Sequence, residues 1–150
     1  MERKILLMSI RPVYANKIFS GEKTVELRRV KPKYISKGDL ALVYASSPVK
    51  CLVGAFTIKK IIEKPIPRLW RSVEGKAGIS KEDFYDYFRG ASTGVGIFID
   101  NYWAIGEQPI ALDELREKFN GFTPPQSFRY ATKDESKLVV MPYYQDDLCF

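Results

Sequence analysis

The stretch Gly21-Glu22-Lys23-Thr24-Val25-Glu26-Leu27-Arg28, followed by Arg29, decides how the chain is read. It has the form of a helix end running straight into a strand, with Gly21 just past the last helical residue and alternation starting at Thr24. Successive strand side chains point to opposite faces, so Val25 and Leu27 are expected in the core while Thr24, Glu26 and Arg28 line a polar face. Glu26 and Arg28 then stand roughly 6 to 7 Å apart at the backbone, close enough for carboxylate and guanidinium to hold each other. Lys23 sits at the strand mouth, where the turn sets its direction. The same spacing also fits an ordinary half-exposed strand whose charges are solvated.

Working outward, Lys4 to Ile10 reads as a mostly buried first strand, and Pro12 suits the first turn of a helix. Tyr14 with Ile18 and Ala15 with Phe19 pair at spacing four to give that helix an apolar stripe, with Lys17 at its flank. The strand of the opening stretch is expected to run to about Val30. Arg28 to Lys37 then carries Arg28, Arg29, Lys31, Lys33 and Lys37 around Tyr34, and Pro32 and Gly38 make it a loop. A basic loop of this kind can track phosphates and offer Tyr34 as a stacking face, although a solvated loop with Tyr34 folded onto the body fits equally.

Asp39 to Ala45 and Cys51 to Ile62 read as antiparallel strands joined by Ser46-Ser47-Pro48, with Gly54 allowing a bend or close approach. Leu69, Trp70 and Val73 form a short helical face between Pro65 and Ala77. Trp70, between Arg68 and Arg71, is either a core anchor or a ring that stacks on a base. Ser80 with Asp83 starts a helix whose stripe is Phe84, Tyr87 and Phe88. Thr93 to Ile105 is a strand; its Gly94-Val95-Gly96 lacks a third glycine and is followed by no helix, which excludes a nucleotide-loop reading. Leu112, Leu115 and Phe119 mark a short helix, Thr123 to Ser127 a stiff turn into Phe128-Arg129-Tyr130, and a last strand is expected near Leu138 to Met141. The tail after Pro142 is expected to be loose at its end.

One hundred and fifty residues, 45% hydrophobic and 28% charged, suit a single α+β domain spanning 1–150 and argue against disorder. A formal charge of +6 favours polyanionic partners. There is no histidine and only two cysteines, Cys51 and Cys149. A Cys/His zinc site and histidine-dependent triads are thereby excluded, and no metal or cofactor is expected. The N-terminus lacks a signal peptide's apolar region and no run is long enough to cross a membrane, so a soluble cytoplasmic protein is expected.

Gly21, Lys23, Glu26 and Arg28 spell G-x-K-x-x-E-x-R, and in this the chain resembles the ASCH domain family, small β-barrels similar to PUA domains. Ile5 to Ile10 and Tyr44 to Lys50 extend the likeness over about the first 60 residues. The resemblance implies a mixed or antiparallel PUA-like barrel flanked by short helices, with the signature residues facing a basic cleft. It implies RNA or a nucleotide-like ligand as partner, held by Lys23, Glu26, Arg28, Arg29, Lys31, Lys33, Tyr34 and Trp70, and a role in transcription- or RNA-related regulation. In such a cleft Arg28 would fork onto a phosphate or base edge while Glu26 fixes its geometry.

The resemblance also implies a rival. Some ASCH-like proteins are amidohydrolases of N4-acetylcytidine, using the signature lysine with a threonine and a glutamate. Lys23 carries over; Glu26 stands at the threonine position, and Glu74 is only the nearest acid. Lys23 acts as a base only if its pKa is lowered, and Glu26 opposes that. A ribonuclease with Glu26 as base and Lys23 or Arg28 stabilising the phosphorane is a further form of the catalytic alternative. Ser46 and Ser47 lack any base that sequence places beside them. A domain that only binds other proteins is the third possibility.

Overall fold

A computed structural model describes residues 4–139. Cys149, Met141 and the tail after Pro142 lie outside that range. The elements in order are β1 (Ile5–Ile10), α1 (Pro12–Phe19), β2 (Val25–Arg28), β3 (Leu40–Ala45), β4 (Cys51–Pro65), α2 (Ile66–Val73), α3 (Lys81–Tyr87), β5 (Thr93–Ala104), β6 (Ile110–Ala111), α4 (Leu112–Lys118) and β7 (Phe128–Tyr130), with a 3₁₀ turn at Glu135–Leu138. The strands make one mixed sheet in the order β2-β5-β4-β3-β1-β7, and β6 pairs with β4. Only β1 and β3 run parallel, because α1 and β2 lie between them in the chain; the other pairs are antiparallel.

The sheet curls, so its two faces become an inside and an outside. Leu6, Met8, Ala41, Val43, Phe56, Ile58 and Ile97 fill the inside with Ile18 of α1 and Ile35 of the basic loop. Leu7, Leu42, Leu52 and Trp103 pack outside under Leu115 of α4 and Phe122. This is why β1 and β3 read as apolar runs without alternation: both of their faces are covered. Each of these side chains contributes about 1.5–3 kcal/mol by leaving water.

A third cluster holds the helices in place. Val25 and Leu27 of β2 pack with Leu69, Trp70 and Val73 of α2 and Phe84 and Phe88 of α3. Gly94 permits this, since a Cβ there would overlap the rings and methyls of Phe88 and Leu69. The glycine that tempts a nucleotide-loop reading is a packing residue.

Several boundaries differ from the sequence expectation. β2 ends at Arg28 instead of Val30, and β4 runs on to Pro65, paired with β5 as far as Thr93. The strand expected near Leu138 gives way to the 3₁₀ turn. Its cause is a reciprocal cap: the Thr132 amide donates to Glu135 Oε1 (2.8 Å) and the Glu135 amide to Thr132 Oγ1 (3.1 Å). Arg129 forks onto the same carboxylate at 2.7 and 2.9 Å. Glu135 is thereby buried and its pKa lowered, chiefly by the Arg129 hydrogen bonds.

Candidate functional site

Strand alternation sends Glu26 and Arg28 to the face of β2 opposite Val25 and Leu27, but this face is not solvated. All four residues are buried. Gly21 has φ +85° and turns the chain out of α1, after which the Lys23 amide donates to Lys17 O at 2.9 Å. The turn aims Lys23 inward, where Nζ donates to Ala77 O at 2.6 Å and lies 3.4 Å from Glu26 Oε1. Lys17 reaches the next carbonyl, Gly78 O, at 2.9 Å, and the Thr24 amide takes Lys76 O at 2.8 Å. Segment 76–78 thus clamps the signature strand through three successive carbonyls.

Arg28 is committed still further. Nε and Nη2 donate to Glu26 Oε2 at 3.1 and 2.7 Å. Nη1 donates to Ser127 O (3.1 Å) and Ser127 Oγ (3.0 Å), and Nη2 also to Ser9 O (2.9 Å). All five guanidinium N–H groups are therefore occupied within the protein. Since β2 and β7 are the two free ends of the curled sheet, this side chain bridges from β2 to the end of β1 and the entry of β7. The fork expected to await a phosphate is closed on the protein itself.

Above this floor lies a cleft of about 890 Å³, walled by Arg11 and Tyr14 of the α1 side and by Asp83, Asp86 and Tyr87 of α3. Ser9, Ser46, Gln126 and Ser127 add hydroxyl and amide groups, and Arg29 and Val30 form one lip. The Tyr14 ring lies 5.3 Å under Lys23 Nζ, and Tyr87 donates its hydroxyl to Leu27 O at 3.3 Å. Arg29 Nη1 binds the carbonyls of Tyr87 and Arg89, both at 3.0 Å, which ties the C-terminal end of α3 to β2. The cleft carries four cations, Arg11, Lys23, Arg28 and Arg29, against three carboxylates, Glu26, Asp83 and Asp86. Its charge is mixed, not the strongly basic lining that the resemblance implies.

Burial lowers the pKa of Lys23; Glu26 works against the shift while Arg28 and Lys17 add to it. The objection that Glu26 must hold Lys23 charged is outweighed by desolvation. Glu26, pinned between Lys23 and Arg28, has one oxygen shared with each. Burial likewise pushes the Tyr87 phenol up.

Of the residues singled out in the sequence, Lys23, Glu26, Arg28 and Arg29 meet at the cleft, and Lys31, Lys33, Tyr34 and Trp70 do not line it. Trp70 is 8% exposed with its ring 5.0 Å from Phe84, so of its two readings the structure places it in the core. Tyr34 points outward near Lys4. Glu74 is exposed beyond α2 and outside the cleft, leaving the amidohydrolase pattern without its acid. Ser46 lines the cleft; Ser47 does not. Tyr87, taken as part of an apolar stripe, is 41% exposed and faces the cleft. Asp83, Asp86 and Tyr87 share a helix face at spacings of three and four, the signal that would have found them. Ser9 and Ser127 come together only through β1–β7 pairing, which no local pattern records.

Among known proteins, the family described as "ASCH domain" matches residues 8–124. An "ASCH domain-containing ribonuclease" of Zymomonas mobilis is 32% identical over 139 residues, covering 93% of this chain and 92% of that protein. The crystal structure of ASCH from Zymomonas mobilis superposes with a TM-score of 0.83 at 32% identity, covering 91% of this chain and 94% of the other. The N-terminal domain of Staphylothermus marinus McrB, 12% identical, shares the fold with a TM-score of 0.58 over 92% of this chain and 96% of that one.

Proposed function

The chain belongs to the ASCH domain family, and from that premise we propose that it binds RNA by seating an exposed base in the cleft over Lys23, Glu26 and Arg28. The observation that carries this reading is the cleft itself: a floor fixed by buried ion pairs and walls that present the aromatic rings of Tyr14 and Tyr87. Its volume of about 890 Å³ is within the range of small-molecule sites. Splayed single-stranded bases are recognised by stacking on such rings and by hydrogen bonds to their edges. Asp83 and Ser127 are suited to a base edge, the carboxylate accepting from an exocyclic amine. Arg28 acts here as a positioning residue.

Cleavage of the bound RNA is the second reading, favoured by the Zymomonas mobilis relative's name and by the lowered pKa of Lys23. In it a 2′-hydroxyl attacks the adjacent phosphorus, the bond to the 5′-oxygen breaks, and Lys23 in its neutral form takes the hydroxyl proton. Arg29, whose Nε and Nη2 have no partner among the described residues, faces the developing phosphorane charge. A cytoplasmic setting with a regulatory role in RNA metabolism belongs to the same proposal. No helix among the described residues is long and apolar enough to cross a membrane.

The test is binding of a single-stranded trinucleotide to wild type, Tyr14→Ala and Tyr87→Ala, with products analysed for cleavage. Binding weakened about 5- to 100-fold in either variant supports the reading. Equal binding by all three proteins overturns it.

A further inference from the structure

Tyr34 combines two properties that oppose stability. Its φ is +62°, a conformation in which a bulky residue is strained, and it is 77% exposed, so no burial offsets the strain. The loop around it is nevertheless firmly held. Pro32 and Ile35 on either side are buried, and Asp39 accepts from the Ser36 and Lys4 amides at 2.9 and 3.0 Å. The ring is thus presented outward by a fixed frame.

Lys4 Nζ stands 5.9 Å from the Tyr34 ring centroid. Beyond Lys4, Tyr130 of β7 pairs with Leu6 of β1 and is 41% exposed. Lys31, Lys33 and Lys37 along the loop are exposed as well. Two open aromatic rings therefore share one region with four lysines, while the cleft has nearly balanced charge. The loop connects the two places, since Arg29 and Val30 lie at the cleft lip and Asp39 holds Lys4. Along β7 the separation is three residues, from Ser127 in the cleft to Tyr130, or about 10 Å.

We propose that Tyr34 and Tyr130, with Lys4, Lys31 and Lys33, form an outer platform for single-stranded RNA that continues the strand whose base occupies the cleft. Bases stack on the two tyrosines and the lysines take the phosphates between platform and cleft. The inference rests on the RNA reading of the cleft. It adds that the ligand is a strand several nucleotides long, with most of the phosphate attraction outside the cleft.

The experiment compares a trinucleotide with an RNA of about ten nucleotides by fluorescence anisotropy at several salt concentrations. Wild type, Tyr34→Gly, Tyr130→Ala and the Lys31→Ala/Lys33→Ala double variant are used. Glycine adopts the backbone of position 34 without strain, so a loss in Tyr34→Gly does not come from unfolding. The longer RNA is expected to bind wild type more tightly than the trinucleotide, and each tyrosine variant to lose about 5- to 100-fold on the longer RNA alone. The double lysine variant is expected to reduce the salt slope by about two. Equal affinity of the two lengths for wild type, or undiminished binding of the longer RNA by both tyrosine variants, overturns the platform. Trinucleotide binding that survives leaves the cleft reading standing, whereas wild type binding neither RNA removes both.

Discussion

Arg28→Met separates a structural arginine from a ligand-binding one. In the folded protein the guanidinium makes two hydrogen bonds to Glu26, two to Ser127 and one to Ser9, and its side chain is only 8% exposed. Removing one member of a buried ion pair costs about 3–5 kcal/mol, because the partner charge stays buried without compensation. The carbonyls of Ser9 and Ser127 face the open cleft and regain water, so their loss adds little. The variant is therefore expected to lose about 3–5 kcal/mol, a large part of the roughly 5–15 kcal/mol that holds a domain of this size together. Arg28→Lys keeps the charge but not the fork, and is expected to fall between the two. Urea unfolding followed by tryptophan fluorescence reads the difference as a shift in midpoint at unchanged slope. A loss below about 0.5 kcal/mol, the ordinary cost of a surface substitution, refutes the reasoning and returns Arg28 to the role of a free phosphate fork.

Four further outcomes follow from the same geometry. The depressed pKa of Lys23 means that the unfolded chain holds the proton more tightly; its penalty on folding is full below the lowered value and disappears as pH rises to 10.5. The stability of wild type relative to Lys23→Met should therefore rise with pH across that window, and a falling difference contradicts burial as the cause. Glu135 has the opposite sign: its stabilisation is present above the ordinary carboxylate value of 4.5 and is lost as pH falls through the lowered one, so Glu135→Gln should cost about 1–3 kcal/mol at neutral pH and progressively less in acid. Trp70→Ala is expected to lose about 3–5 kcal/mol in urea unfolding, whereas a stable variant with weakened RNA binding would make the ring a stacking face after all. Tyr34→Gly should melt at or above the wild-type temperature, since relief of strain of about 1–2 kcal/mol offsets glycine's added chain entropy; a clear drop would show the ring to be a packing residue.

The opening stretch carried the architecture because its information is local. Gly21 as a helix end, Val25 and Leu27 as one strand face and Ser80 with Asp83 as a helix start are all set by neighbours in sequence, and the structure has each of them, Ser80 Oγ accepting from the Asp83 amide at 3.1 Å. The roles of Lys23 and Arg28 were not legible. Their partners Ala77, Ser127 and Ser9 lie 54, 99 and 19 residues away, and only the folded sheet reveals that an arginine with two charged neighbours has no donor to spare. Tyr87 shows a related limit, since an amphipathic period marks a face without saying whether a neighbouring element covers it. Trp70 and Tyr34 looked alike in sequence, each an aromatic among basic residues. Helical packing against Phe84 buries the first, and a left-handed backbone between buried Pro32 and Ile35 exposes the second.

The most direct measurement for the central claim is a titration of the nitrogen-labelled protein with a short single-stranded RNA, mapping amide shifts by NMR. Occupation of the cleft predicts saturable shifts at Tyr14, Ser46, Asp83, Tyr87 and Ser127, with Trp70 and the α4 face undisturbed. Shifts confined to another surface, or none at RNA concentrations that saturate other single-strand binders, would contradict it.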